Sequence, residues 1–225
     1  MELTSRTIDI LRNFANINPN IVVAKGNILK TMSIKKNLVV TAVIEESFPT
    51  DFGIYDLSEF LSVLNLVDNP RIEFDEKNCS IRDGSGLSSV KYFYCDPEML
   101  TAPKKDIQMP DPELGVSIDE DKLNQIRKAA AVLGHTELAI TGDNGIVTAS
   151  VLDTRDSTSN VFEIELDKDN SCKNEFNFVV SIPNLKLLPG DYFVSISSKL
   201  ISNWTNSNYP VDYFIALEKN SSYNV

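Results

Sequence analysis

Histidine and cysteine are the scarce residues of this chain: His135 is alone, and Cys79, Cys95 and Cys172 form an odd set with no CxxC spacing. Zinc-site and disulfide-framework readings lose their ligands, and the thiols read as small buried hydrophobes. The GxxxxGK[ST], GxGxxG and HExxH patterns are all missing, and no histidine stands where it could activate a nucleophile. Neither a cofactor nor a metal is expected. His135 follows Gly134 and reads as a helix-end residue. The carboxylates Asp119, Glu120 and Asp121 read as acids favoured by a helix dipole, and Glu163, Glu165, Asp167 and Asp169 as a solvated strand edge and turn. No apolar run approaches the roughly 18 residues of a membrane helix, and Met1 to Asn16 mixes Arg, Asp and Asn with its apolar residues, unlike a signal peptide. A cytoplasmic protein with no membrane contact is expected, which makes the sequons at Asn78, Asn203 and Asn220 chance matches. A basic surplus is also lacking. The net charge of −11 argues against unselective adhesion to nucleic acid but leaves room for a local basic patch.

What is present is an ordinary globular composition, 42% hydrophobic and 24% charged over 225 residues, enough for one or two cores. The clearest helical periodicity runs from Ile54 to Val67. Leu57, Phe60, Leu61, Val63, Leu64 and Val67 build one buried face, and Asp56 with Glu59 forms a capping box. Its other side carries Ser58, Ser62 and Asn65, all uncharged. Leu3 to Ile17 reads as an earlier helix capped by Thr4 or Ser5, with Arg6, Arg12, Asn13 and Asn16 on its polar half. Strand-like runs lie at Ile21–Ala24, Ile28–Ser33, Leu38–Ile44, Arg71–Phe74, Cys79–Arg82 and Ser88–Tyr94.

From Asp96 to Glu113 periodicity stops, and Pro97, Pro103, Pro110 and Pro112 mark an extended connector. The division is therefore residues 1–99, a connector 100–113, and residues 114–225. The second part repeats the first in outline. Ser117 and Glu120 read as a capping box, and Asp119 to Leu133 as a helix ended by Gly134, with Asn124, Arg127 and Lys128 opposite its apolar face. Strands follow at Glu137–Thr141, Gly145–Leu152, Asn160–Leu166 and Glu175–Ile182, with a hairpin turn at Asp143-Asn144-Gly145. A short helix carrying Lys186 is expected between Ser181 and Pro189-Gly190. Strands at Asp191–Ser197 and Val211–Glu218 then flank a Ser/Asn-rich loop around Trp204. A doubled unit of roughly a hundred residues is the main message of the pattern.

Basic residues on polar helix faces, namely Arg6, Arg12, Arg127 and Lys128, together with Lys186, would meet phosphates if the helices share one surface. The connector apolars Leu100, Pro103, Ile107 and Met109 have no periodic face and suit a partner pocket. Edge strands Ser88–Tyr94 and Asn160–Leu166 are candidates for pairing between subunits.

The strings Leu11-Arg12-Asn13-Phe14-Ala15-Asn16-Ile17-Asn18, Ile54-Tyr55-Asp56-Leu57 with Phe60-Leu61 and Leu64, Phe176-Asn177-Phe178 leading to Leu185-Lys186 and Pro189-Gly190-Asp191-Tyr192, and the ending Tyr213-Phe214-Ile215-Ala216-Leu217-Glu218 resemble those of the DNA sliding clamps of large tailed phages. The resemblance spans nearly the whole chain, the segment Ser198–Asn208 excepted. It implies an α+β fold of two similar clamp domains, with antiparallel sheets outside and two helices per domain lining a ring. The implied ring is a homotrimer around double-stranded DNA, a non-enzymatic processivity factor in the cytoplasm of the infected host. The implied partners are the C-terminal peptide of a DNA polymerase, a clamp-loader ATPase and late-transcription factors. The implied DNA-facing set is Arg6, Arg12, Asn13, Asn16, Ser58, Ser62, Asn65, Asn124, Arg127, Lys128 and Lys186. Two rival classes stay open at this point: a monomeric β-rich virion or surface binding module, and a hydrolase built on paired carboxylates.

Overall fold

In the computed structural model, which describes residues 1–85 and 87–224, the first element is α1 (Ser5–Ile17). Thr4 caps it, its hydroxyl accepting the Thr7 N–H at 3.2 Å. Ile10, Leu11, Phe14 and Ile17 form the buried stripe. A second cap comes from the neighbouring sheet: the Glu46 carboxylate accepts the Thr7 hydroxyl at 2.6 Å and the Thr4 N–H. Burial works to raise the pKa of Glu46, but these hydrogen bonds outweigh it and hold the group below the ordinary carboxylate range.

The chain then lays down β1 (Ile21–Val23), β2 (Gly26–Met32), β3 (Leu38–Phe48), β4 (Phe52–Ile54), α2 (Leu57–Leu64), β5 (Arg71–Phe74), β6 (Asn78–Arg82) and β7 (Ser89–Phe93). All pairings are antiparallel: β1 with β4, β2 with β3, and a β5-β6-β7 meander. Phe48, Phe52, Phe74 and Tyr94 pack ring against ring with centroids 4.8–5.7 Å apart. The helical stretch expected from Ile54 begins later, because Phe52, Gly53 and Ile54 are all buried in β4. Asp56 is the cap, its carboxylate accepting the Glu59 N–H at 2.9 Å. Gly53 is required by close approach: a Cβ there would lie 2.6 Å from the Cys95 carbonyl and 2.8 Å from Leu100.

Two compact units result, Met1–Asp106 and Ile107–Val225. The second contains β8 (Leu114–Ile118), α3 (Glu120–Leu133), β9 (Glu137–Asp143), β10 (Ile146–Leu152), β11 (Phe162–Asp167), β12 (Phe176–Ser181), β13 (Tyr192–Ser197), β14 (Ile201–Asn206), β15 (Val211–Ala216) and β16 (Ser222–Tyr223). One antiparallel sheet runs in the order β11-β10-β9-β12-β16. In the other, β8 pairs with β13, β13 with β14 and β14 with β15. Asn144 and Gly145 make the expected β9–β10 hairpin, both at positive φ.

The α+β class with antiparallel sheets is as the sequence implied, and three of its details change. Ser117 belongs to β8, so the cap of α3 is Asp119, which accepts the Lys122 N–H at 2.7 Å. The expected fourth helix is a single 3-10 turn, Ile182–Asn184, followed by an irregular loop, so the second unit holds one α-helix among the described residues. Leu185, Leu187 and Leu188 are all buried, and so short a segment cannot bury three leucines on one helical stripe. Finally, the Ser/Asn-rich loop around Trp204 is β14, an internal strand between β13 and β15. Its buried face is Ser202, Trp204 and Asn206, an alternation disguised by polar residues: Ser202 bonds Trp204 and the Ile215 carbonyl, and Asn206 the Pro189 carbonyl and the Asn208 and Tyr209 N–H groups.

Candidate nucleic-acid interface

Helix α1 exposes Arg6, Arg12 and Asn16, with Arg12 3.3 Å from Asp9 on the same helix. Asn13 departs from the expected polar face, because it is only 8% exposed. At 100° per residue it borders Ile17 and Ile10, so it sits at the margin of the buried stripe.

In the same unit α2 exposes Ser58, Ser62 and Asn65. The Ser62 hydroxyl donates to the Ser58 carbonyl at 2.8 Å, a bond that folds the polar group back onto its own helix. Asn65 is the C-terminal cap. The Glu59 side chain accepts the Tyr92 hydroxyl at 3.4 Å. This face therefore offers a duplex neither strong attraction nor strong repulsion.

On α3, Asn124 and Lys128 are exposed, whereas Arg127 is half-buried. It lies only about 40° from Leu123 around the helix at 100° per residue, beside the buried stripe rather than opposite it. Its guanidinium donates to the Leu185 and Leu187 carbonyls, both at 3.3 Å. The loop that these bonds hold presents Lys186 to solvent. The same loop is held from below by the Tyr192 hydroxyl, which donates to the Leu188 carbonyl at 2.7 Å, and by the Tyr213 hydroxyl, which accepts the Leu188 N–H at 3.1 Å. Burial pushes the Tyr192 phenol up to about 12, and it raises that of Tyr213 further. Both phenols therefore keep their protons across the physiological range, Tyr192 as the donor to Leu188.

Of the four connector apolars, Pro103 lines a recess of about 350 Å³ in the first unit with Val22, Ala24, Ile28 and Ala102, rimmed by Lys25 and Lys30. Lys30 is ion-paired with Asp106 of the connector. Leu100 instead packs over Gly53. Ile107 and Met109 are half-buried and belong to the second unit. The start of the connector is tied to β2 by Asn18, fully buried, whose side-chain amide donates to the Met32 carbonyl at 2.8 Å and the Thr101 carbonyl at 3.2 Å.

Both candidate pairing strands end their sheets, β7 in the first unit and β11 in the second. Beside β11 is a shallow apolar recess lined by Ala129, Val132, Leu133, Val161 and Phe162. Val132 is 84% exposed and Val161 51%. Val132 stands about 180° from the buried Leu123 at 100° per residue, an aliphatic residue in the middle of a polar face, which is its signal in the sequence. His135, the lone histidine, uses its ring Nε2 to reach the Asn160 carbonyl at 2.8 Å, just ahead of β11.

The chain as a whole has relatives among known proteins. The family model for DNA polymerase processivity factors matches residues 4–97, and that for the gp45 sliding clamp, C terminal, matches residues 116–219. The chain is 33% identical over 226 residues to the sliding clamp of Vibrio phage KVP40, covering 97% of this chain and 99% of the relative. It is 31% identical over 230 residues to the sliding clamp of Escherichia phage RB69, covering 99% of each. Among solved structures it superposes on A. fulgidus PCNA, bound there to the C-terminal region of FEN-1, with a TM-score of 0.71 at 12% identity and 96% coverage of each chain. The DNA polymerase III subunit beta of Pseudomonas aeruginosa gives a TM-score of 0.69 at 11% identity, covering 96% of this chain and 63% of that one. At such identities these two likenesses establish the fold.

Proposed function

This chain belongs to the sliding-clamp family of DNA polymerase processivity factors, non-catalytic accessory proteins of phage replication, and from that premise we propose that three copies close into a ring around duplex DNA. The observation that carries the reading is the pair of sheet edges. β7 presents Lys91 outward and β11 presents Glu163 and Glu165, so an antiparallel pairing of one copy's β7 with the next copy's β11 would join opposite charges and cover two open edges at once. Such a contact joins different surfaces of identical subunits and closes only if the rotation closes, which a trimer satisfies.

Within the ring, Arg6, Arg12, Asn16, Asn124, Lys128 and Lys186 supply phosphate attraction, and Ser58, Ser62 and Asn65 a neutral stretch. Dispersed cations with hydroxyl and amide groups bind backbone without reading bases, which permits sliding. The remaining charge of a −11 chain disfavours DNA on other faces. The recess at Pro103, with its lysine rim, suits an apolar peptide carrying acidic groups, such as a polymerase C-terminal segment. A clamp-loader ATPase would open the ring, and late-transcription factors would share the peptide recess. The site of action would be the cytoplasm of the infected cell, in keeping with a chain in which no described helix is long and apolar enough to cross a membrane.

Light scattering at micromolar concentration tests the assembly. Three copies of a 25.1 kDa chain are expected, and a strict monomer would contradict the ring.

A further inference from the structure

A role for Arg127 other than phosphate contact follows from its surroundings and deepens the proposal above, on which it rests. The 3-10 turn takes the Leu185 N–H through the Ile182 carbonyl at 2.9 Å; beyond it no helical or sheet ladder continues to Gly190, and side chains satisfy the carbonyls of Leu185, Leu187, Leu188 and Pro189. Arg127 takes the carbonyls of Leu185 and Leu187, Tyr192 takes that of Leu188, and the Asn206 amide takes that of Pro189 at 3.1 Å. Tyr213 holds the Leu188 N–H. Gly190 then turns the chain at φ +124, where a Cβ would fall 2.8 Å from Asn208. Along this run Leu185, Leu187 and Leu188 point into the core and Lys186 points out. The clamped carbonyls on either side of Lys186 are the two bonded to Arg127, so the guanidinium fixes the backbone from which Lys186 projects. A cation with two of its N–H groups committed to buried backbone acceptors can reorient toward a passing phosphate only by leaving those acceptors unsatisfied, which is costly in a half-buried setting.

We infer that Arg127 is a positioning residue for Lys186: it contributes to duplex attraction by holding the Lys186 loop against α3, not by contacting phosphate itself. The other lining cations, such as Lys128 one residue along, sit on the helix and need no such support.

The test is a titration of the intact trimer into a short fluorescent linear duplex across a range of NaCl concentrations, read as the slope of log Kobs against log [salt]. Each phosphate contact contributes about 0.9 to that slope. The variant K186M is expected to reduce it. R127M should reduce it by the same amount, and the double variant R127M/K186M should match either single one. Y192F provides a second handle, since Tyr192 is 1% exposed and cannot touch DNA. It loosens the same loop and should lower the slope in part. In R127M, hydrogen exchange should rise for the amides of Leu185 to Leu188 while those of α3 stay protected and the trimer mass is kept, which separates a displaced loop from a misfolded unit. Losses from R127M and K186M that add in the double variant would overturn the inference, as would a full slope in R127M alongside a reduced one in K186M. A K186M slope equal to that of the unaltered protein would instead remove Lys186 from the lining, and the role assigned to Arg127 would fall with it.

Discussion

The double substitution V132D/V161D is expected to turn the assembly into single chains of 25.1 kDa with their fold intact. Both valines face solvent within one chain, 84% and 51% exposed, so carboxylates there cost the isolated fold little. They sit on the apolar recess beside β11, where the proposed neighbour docks. Burying a valine contributes about 1.5–3 kcal/mol, and each introduced carboxylate adds a desolvation penalty of a few kcal/mol if it has no partner. The summed loss moves the association midpoint by at least about a thousandfold. Light scattering reads the mass, and circular dichroism confirms the fold. A trimer that persists in the variant would mean that β11 lies outside the subunit contact.

Truncating Trp204 is the second large effect, and it acts on the fold rather than on assembly. Its side chain is 0% exposed, packed edge-on to Tyr192 at 6.3 Å between centroids. Its indole N–H donates to the Ser202 hydroxyl at 3.0 Å, and that hydroxyl donates to the Ile215 carbonyl at 3.0 Å. Trp204→Ala removes the largest side chain in the second unit's core and leaves a cavity, an effect of about 3–5 kcal/mol. Melting should fall by about 6–20 °C. Trp204→Phe keeps most of the packing and loses only the hydrogen bond, so its cost should stay near 1 kcal/mol. If the alanine variant melted like the unaltered protein, the placement of Trp204 at the centre of this core would be wrong.

Trp204 also shows where the sequence was hard to read. A strand is legible when one face is apolar, as in Val211 to Ala216, whose alternate residues Val211, Tyr213 and Ile215 are buried. Along β14 the buried positions hold Ser202, Trp204 and Asn206, and the two polar ones are tolerated because each finds partners inside the unit. No local pattern announces that. The three α-helices among the described residues are legible from their apolar stripes, and in α1 and α2 the caps agree, Thr4 and Asp56 each accepting an N–H of the first turn, whereas α3 is capped by Asp119 and not by the expected Ser117. The fourth helix failed for the opposite reason. Its caps looked right, but its carbonyls are satisfied by Arg127, Tyr192 and Asn206, residues distant in sequence.

The residues expected to face DNA divide in the same way. Arg6, Arg12, Asn16, Ser58, Ser62, Asn65, Asn124, Lys128 and Lys186 stand exposed, as their positions on a wheel or between buried leucines foretell. Asn13 and Arg127 lie at the margins of buried stripes, where a wheel cannot say which way a long or small polar side chain will turn. The connector was recognisable from its prolines, yet only Pro103 of the four chosen apolars lines the recess. Its walls come from β1 and β2, and extended segments carry no periodicity that says what they cover.

Topological encirclement of duplex DNA is the central proposal for this protein, and one measurement addresses it directly. The protein is loaded by its clamp loader with ATP onto nicked circular DNA, the unbound protein is removed, and the DNA is cut once. Retention on the circle followed by prompt release from the linear molecule, prevented when both ends are blocked by bound protein, is the predicted result. Equal retention before and after cutting would contradict encirclement and leave a surface-bound protein in its place.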